Sequence, residues 1–348
     1  ESGHLDVVML SGGEPTVHPQ IREIVAELAP LDITRILINT NGVRIAADDA
    51  FLELLRSHRR RVEVYLQYDG QDEAVHRALR GTDLRTIKTR AVERLSSARV
   101  FTTLVATVSK VNAHLIGEVL DTAFATPYVG GVMFQPLFAS GRSPDLDPLD
   151  RVTTTGVLCR MAVQSRHGVK AHDLIALPCS HPDCCSIGYF LRRPDGSFAG
   201  LASLIGEETL RANLSIAGNS IAFSEALGEV RRALVGVMSE SMTLSRPELV
   251  QALRTLCDSC DFGGVGGLLK LALSKEASAE FVGRNVKRVT VKHFMDADML
   301  ITERLEQCCV HVAGAGNNPV RMPFCAARLF PKVRAKALDG TVKREALA

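Results

Sequence analysis

The stretch "DVVMLSGGEPTVHP", Asp6 to Pro19, is an apolar run that stops abruptly in two glycines, a carboxylate and a proline. Its first half has the character of a buried strand. Gly12 and Gly13 carry no side chain, so the backbone there can approach a ligand closely. Glu14 offers a carboxylate for a charge-assisted hydrogen bond to an ammonium group. Pro15 fixes the turn into the next segment.

Outward from this stretch the chain alternates. "DVVML", "RILINTNG", "RVEVYLQYDG", "FTTLVATVS" and "GGVMFQPL" read as strands. Between them lie helical patterns such as "PQIREIVAELAPL", with Ile21, Ile24, Val25 and Leu28 on one face. Strands separated by helices predict parallel βαβ units, in a barrel or in a doubly wound sheet. Each strand carries polar residues at its C-terminal end: Ser11 to Glu14, Asn39 to Gly42, Gln67 to Gly70, Thr107 and Gln135. Parallel α/β folds bind ligands at that edge. Gln67 and Asp69 alternate with Tyr65, which predicts that all three share one strand face. After "LFASGRSPDLDPLDR" the rhythm stops. We therefore expect a barrel-like unit over residues 1–140 and a second unit over 141–348, with helical patterns in "TTGVLCRMAVQSRHG", "AFSEALGEVRRALVGVM" and "RPELVQALRTLCDSC".

Among 348 residues, 46% are hydrophobic and the formal net charge is +2, so no field points to nucleic acid. No apolar stretch reaches the ~18 residues of a membrane span; the longest candidate, "FGGVGGLLKLALS", is interrupted by Lys270. The sequence opens in mid-element without Met, signal peptide or apolar leader, which predicts a cytoplasmic protein represented here by an N-terminally truncated piece.

Nine cysteines are clustered rather than scattered. Cys179, Cys184 and Cys185 form Cys-x4-Cys-Cys, Cys257 and Cys260 form Cys-x2-Cys, and Cys308, Cys309 and Cys325 form Cys-Cys-x15-Cys. Without a secretion signal, such clustering favours metal over disulfides, and adjacent cysteines make strained bridges. Eight thiolates suffice for two four-cysteine sites: iron–sulfur clusters, a rubredoxin-like iron or structural zinc. Cys159, on an amphipathic helical pattern, reads as a buried thiol. His181 and His311 read as histidines that support a neighbouring ligand or face solvent, not as ligands themselves.

"LSGGEPTVHP", on a strand followed by further polar-tipped strands, resembles the radical S-adenosylmethionine (SAM) superfamily. "YLQYDG", "PCSHPDCC", "HFMDAD", "ERLEQCCVHV" and "MPFC" are similar to the group around tetraether synthase and the dihydropterin methylase-like proteins. The segment "AGAGNNPVRMPFC" departs from that group's pattern before the last cysteine. The resemblance implies a partial (β/α) TIM-like barrel lacking its first strand, followed by a helical, cysteine-rich iron–sulfur domain. Gly12, Gly13, Glu14 and Pro15 would bind SAM, with Asn39, Asn41, Gln67, Asp69 and Gln135 as further cofactor contacts. The Cys-x3-Cys-x2-Cys loop that holds the catalytic [4Fe–4S] cluster is absent from the sequence, so this chain alone is expected not to cleave SAM. Cys179, Cys184, Cys185, Cys257, Cys260, Cys308, Cys309 and Cys325 would hold auxiliary clusters or a mononuclear iron. No catalytic side chain is assigned.

The implied activity is attack of a 5′-deoxyadenosyl radical on an unactivated carbon. The resemblance leans toward C–C bond formation on lipid chains, and a composition with 5% aromatic residues and no Trp is compatible with it. The alternatives are carbon methylation of a pterin-like substrate, and a non-catalytic iron–sulfur protein. A ferredoxin or flavodoxin would supply electrons, and a lipid substrate would bring peripheral membrane contact. The stretch from Gly263 to Leu273 reads as a packed helix interface, with a lipid tunnel as the other reading.

Overall fold

The computed structural model describes residues 3–139, 147, 149–177, 180–208, 210, 275–313 and 321–330. Three expectations fall outside these residues: the two helical patterns between 222 and 260, the 263–273 stretch, and the ligands Cys179, Cys257 and Cys260. Among the described residues no helix is long and apolar enough to cross a membrane.

The five strands read from the sequence form: β1 (Leu5–Leu10), β2 (Ile33–Thr40), β3 (Val62–Gln67), β4 (Thr102–Val108) and β5 (Val129–Pro136). They pair in parallel and in sequence order. Between them run α1 (Ile21–Leu28), α2 (Val43–Ala47), α3 (Asp49–Ser57), α4 (Glu73–Arg80), α5 (Arg85–Ser97) and α6 (Ile116–Ala125). The pattern after the boundary segment gives α7 (Thr154–Gln164).

One face of the sheet is covered by helices. Ile36, Ile38, Val64, Leu66, Leu104, Ala106, Val132 and Phe134 pack there against Val25, Phe51, Leu55, Leu95, Leu120 and Met161. The other face carries Val7, Leu37, Tyr65, Val105 and Met133 as a small separate cluster. Sequential strand order without reversal, and helices on one face, distinguish a barrel-type sheet from a doubly wound one.

Four more strands join from downstream: β6 (Ile175–Ala176), β7 (Cys185–Arg192), β8 (Phe198–Gly200) and β9 (Val286–Lys292). β9 pairs with β5 in parallel, Gly131 opposite Arg288, and β7 runs antiparallel to β9 with Cys185 opposite Lys292. Residue 140 is therefore not a boundary of the sheet, and the downstream half is not purely helical. α8 (Leu201–Ile205) and α9 (Lys275–Asn285) flank β7, α10 (Thr302–Glu306) follows β9, and a small hairpin of β10 (His311–Ala313) and β11 (Arg321–Pro323) leads into α11 (Phe324–Leu329).

Arg288 shows that the sheet curls toward the helix-free face. Its Nη2 donates to Glu63 Oε1 at 3.1 Å and Tyr65 on β3 at 3.2 Å, and to Thr103 on β4 at 2.9 Å. With strands ~4.8 Å apart, β9 and β3 lie about 14 Å apart along a flat sheet. Side chains stand roughly perpendicular to a flat sheet, so this contact needs a curved one. Thus the expected partial barrel is present.

The sheet also buries Lys287, whose Nζ donates to the carbonyls of Thr126 and Val129 at 2.8 and 2.7 Å. Burial, with Arg192 nearby, pulls its ammonium down to about 7. Below that pH the amine is charged in both folded and unfolded chains. Between about pH 7 and the ordinary lysine value of 10.5 the folded chain releases the proton first. The unfolded chain then holds more protons, so stability rises with pH. We expect stability relative to Lys287→Met to climb across this window by a few kcal/mol at most, at roughly 1.4 kcal/mol for each pH unit crossed. Urea unfolding at a series of pH values checks this; a pH-independent difference would refute it.

Candidate functional site

The C-terminal ends of β1 to β5 form one edge, and the structure divides their polar residues into two kinds. Some tie neighbouring strand tips together; others are left open.

Glu14 is of the first kind. It caps the short turn Pro15–Val17. Its Oε1 accepts from Thr16 N at 3.1 Å, Thr16 Oγ1 at 2.6 Å and Thr40 Oγ1 at 2.7 Å, and its Oε2 accepts from Asn41 N at 2.6 Å. The carboxylate thus joins the tip of β1 to that of β2. Asp69 repeats the device between β3 and β4. It accepts from Arg80 Nε at 2.7 Å, Arg80 Nη2 at 3.0 Å and Thr107 N at 3.0 Å, and its side chain is 0% exposed. Asp69 therefore does not face the open edge as a cofactor contact would; it lies past the end of β3, where strand alternation no longer governs its direction. Tyr65, buried and bonded to Arg288, and Gln67, half-buried, do lie on the helix-free face.

Asn41 Oδ1 accepts from Val43 N at 2.9 Å, and Asn41 O accepts from Lys88 Nζ at 2.6 Å. The following Gly42 has φ +82°, and an added Cβ would sit 2.5 Å from Leu66 Cδ1, so only glycine fits this turn. Lys88 was not foreseen. It shares the buried face of α5 with Ala91, Val92 and Leu95, and a lysine at that spacing was the available signal. Burial and Arg80 pull its ammonium down to about 8, against the opposing charges of Asp69 and Glu14.

Ser11, Gly12 and Gly13 are exposed, while Asn39 and Gln135 are half-buried. Asn39 Nδ2 lies 3.4 Å from Ser11 Oγ, and Gln135 Nε2 lies 3.1 Å from Met133 Sδ. Gly12 has φ +150°, a conformation favouring glycine. A Cβ on Gly13 would meet nothing within 4 Å, and its φ lies outside the left-handed range. The protein itself therefore does not demand glycine there. We expect Gly13→Ala to leave thermal stability within about 0.5 kcal/mol of wild type while weakening SAM binding at least tenfold, as read by calorimetry. Unchanged affinity would remove Gly13 from the ligand contacts.

The second constellation lies at the same end of the sheet, around the last residue of β9. Cys184, Cys185, Cys308, Cys309 and Cys325 line one partly open cavity with Lys292, His293, Phe294, Arg304 and Phe324. Cys184 closes a short turn, Cys185 begins β7, Cys308 and Cys309 follow α10, and Cys325 lies in α11. Arg304 Nε donates to Cys184 Sγ at 3.3 Å, and Met295 N donates to Cys325 Sγ at 3.5 Å. Burial pushes the Cys325 thiol up, and burial beside Arg304 and Arg151 pushes the His293 imidazole down to about 4. Beside the cavity Phe294 packs on Phe138 and Phe324, with ring centres 5.1 and 4.7 Å apart. Among the described residues no three His, Cys, Asp or Glu converge on one metal ion. Cys159 does not join the pocket and is exposed on α7, not buried as expected.

The radical SAM superfamily model matches residues 1–123. Over 343 residues the chain is 24% identical to the 7,8-dihydro-6-hydroxymethylpterin dimethyltransferase of Methanocaldococcus jannaschii, covering 91% of this chain and 65% of that protein. Over 140 residues it is 33% identical to the mycofactocin maturase of Mycobacterium ulcerans, covering 40% of this chain and 36% of the maturase. The chain thus spans less than two thirds of either relative. Among solved structures, anSMEcpe with bound AdoMet is 18% identical over 46% of this chain and 44% of its own, with a TM-score of 0.36.

Proposed function

We propose that the protein, whose residues 1–123 match the radical SAM superfamily model, functionalises an unactivated carbon of a pterin-like substrate, by methyl transfer, and that its cysteine pocket holds an auxiliary iron–sulfur cluster. The carrying observation is spatial. The open strand tips and the cysteine pocket occupy one edge and one face of the same curved sheet, with Gln135 on β5 and Lys292 on the neighbouring β9.

SAM and its catalytic cluster would supply a 5′-deoxyadenosyl radical. The chain's part is to bind and orient. Ser11, Gly12 and Gly13 present open backbone for the methionyl end, Asn39, Gln67 and Gln135 offer side-chain hydrogen bonds, and Glu14 and Asp69 hold the tips in register. In the pocket, five thiols line one cavity, more than the four that an iron–sulfur cluster takes. Arg304 and Lys292 would offset the thiolate charge. A ferredoxin- or flavodoxin-type donor would supply electrons.

We set the pterin-like substrate ahead of the lipid chain. The similarity spanning most of the chain is to a pterin dimethyltransferase, and three of the few aromatic rings gather beside the pocket, where a planar ring could stack. The test uses the whole gene product, reconstituted anaerobically and supplied with SAM and reductant. Formation of 5′-deoxyadenosine dependent on a dihydropterin supports this reading; dependence on lipid alone would restore the lipid assignment.

A further inference from the structure

We infer that Arg304 and Lys292 form a fixed cationic surround that favours the more reduced state of the iron–sulfur group proposed for the cysteine pocket; the inference rests on that reading. Arg304 is 4% exposed and held by two bonds, Nε to Cys184 Sγ at 3.3 Å and Nη2 to the His293 carbonyl at 2.8 Å. The second bond aims the first. A guanidinium brings both positive charge and directed N–H donors to the sulfur.

Lys292 is 8% exposed, ends β9 opposite Cys185, and lines the same cavity. Its ammonium lies 5.5 Å from the centre of the Phe294 ring. Among the described residues it has no hydrogen-bond or ion-pair partner, and burial pulls its ammonium down, opposed only by the nearby sulfurs of Cys185, Cys308, Cys325 and Cys184. A buried cation without a counter-charge is costly. Four thiolates around a cluster would provide that counter-charge, which gives Lys292 a reason to point inward.

The redox consequence follows from charge. One electron from a low-potential donor adds one negative charge to the cluster, with no bond made or broken and no proton taken up. Two nearby cations in a water-poor pocket stabilise that added charge, and hydrogen bonds to cluster sulfurs act in the same direction. Neutralising either cation should therefore make the cluster harder to reduce.

The experiment uses the 348-residue chain, whose sequence contains no Cys-x3-Cys-x2-Cys run. It is reconstituted anaerobically with iron and sulfide, and the midpoint potential is read by dithionite titration with electron paramagnetic resonance. Lys292→Met and Arg304→Gln should retain iron and sulfide but shift the midpoint to more negative values, with the double variant shifted furthest. Unchanged potentials at unchanged iron content would overturn the inference. Should a neutral variant lose its iron, Lys292→Arg and Arg304→Lys decide. Retention by these at the wild-type potential supports a role for charge, and loss in them too overturns it in favour of packing. If wild type takes up no iron and sulfide, the iron–sulfur reading fails first and the inference with it.

Discussion

Asp69→Ala should destabilise the folded chain by roughly 3–5 kcal/mol, the range for breaking one side of a buried ion pair. The carboxylate is fully buried and Arg80 binds it with two nitrogens, while Thr107 N donates to the same Oδ1. Removal leaves a mostly buried guanidinium without its counter-ion and a strand-tip N–H without its acceptor. With total stabilities of ~5–15 kcal/mol, a loss of this size would be a large fraction of the whole. Urea unfolding measures it. A change under about 1 kcal/mol, typical of exposed ion pairs, would show that the pair contributes no more than a surface bridge. Asp69→Asn keeps the shape and one acceptor, so it should fall between wild type and Asp69→Ala.

The strands flanking Asp69 were legible because their signals are local. β1 to β5 are apolar runs of 6–8 residues with polar tips, and the helices between them carry apolar stripes. β9 was not legible. "VKRVTVK" reads as an exposed, charged strand, yet every residue in it is buried. Lys287 is bonded to carbonyls 158 and 161 positions away, and Arg288 pairs through Nη2 with Glu63, 225 positions away. A pattern read over a short window cannot foresee partners at that separation. α4 was missed for a related reason: only Val75 and His76 are buried in "EAVHRALR", and Arg80 is anchored by a tertiary ion pair.

The candidate site was legible to a similar depth. Clustered cysteines pointed to a thiol-rich centre, and five of them do line one cavity. Which ones would meet depended on β7 and β9 pairing so that Cys185 lies opposite Lys292, a tertiary fact. The low aromatic content suggested an aliphatic substrate. Composition averages over the whole chain, however, and Phe138, Phe294 and Phe324 are concentrated at one place. Residue type likewise could not separate braces from contacts, since Asp69 and Gln67 look equally available in sequence and are opposite in exposure to the open edge.

Glu14 is where that distinction has the largest consequence for binding. Glu14→Ala should weaken SAM binding by at least a hundredfold while leaving iron and sulfide uptake by the cysteine pocket, proposed above, at the wild-type level. The residue would act in two ways. Oε1 already receives three donors and Oε2 one, so acceptor capacity for a ligand ammonium remains on Oε2. Two of these bonds, from Thr40 Oγ1 and Asn41 N, hold the "SGGEP" turn against the tip of β2, so alanine would also release the turn that presents Gly12 and Gly13. Hydrogen bonds to a charged acceptor contribute ~1.5–3 kcal/mol each. Losing several should lower stability by roughly 2–4 kcal/mol, partly offset where water reaches this half-buried site. Glu14→Gln separates the two roles. Its amide oxygen can keep the bonds from Thr16 and Thr40, but its NH2 would oppose the Asn41 N–H and repel an ammonium. It should therefore recover much of the stability and little of the affinity, with calorimetric titration reading one and thermal unfolding the other. Wild-type affinity in Glu14→Gln would mean that Glu14 only braces the turn, and that the ammonium is bound by the backbone of Gly12 and Gly13.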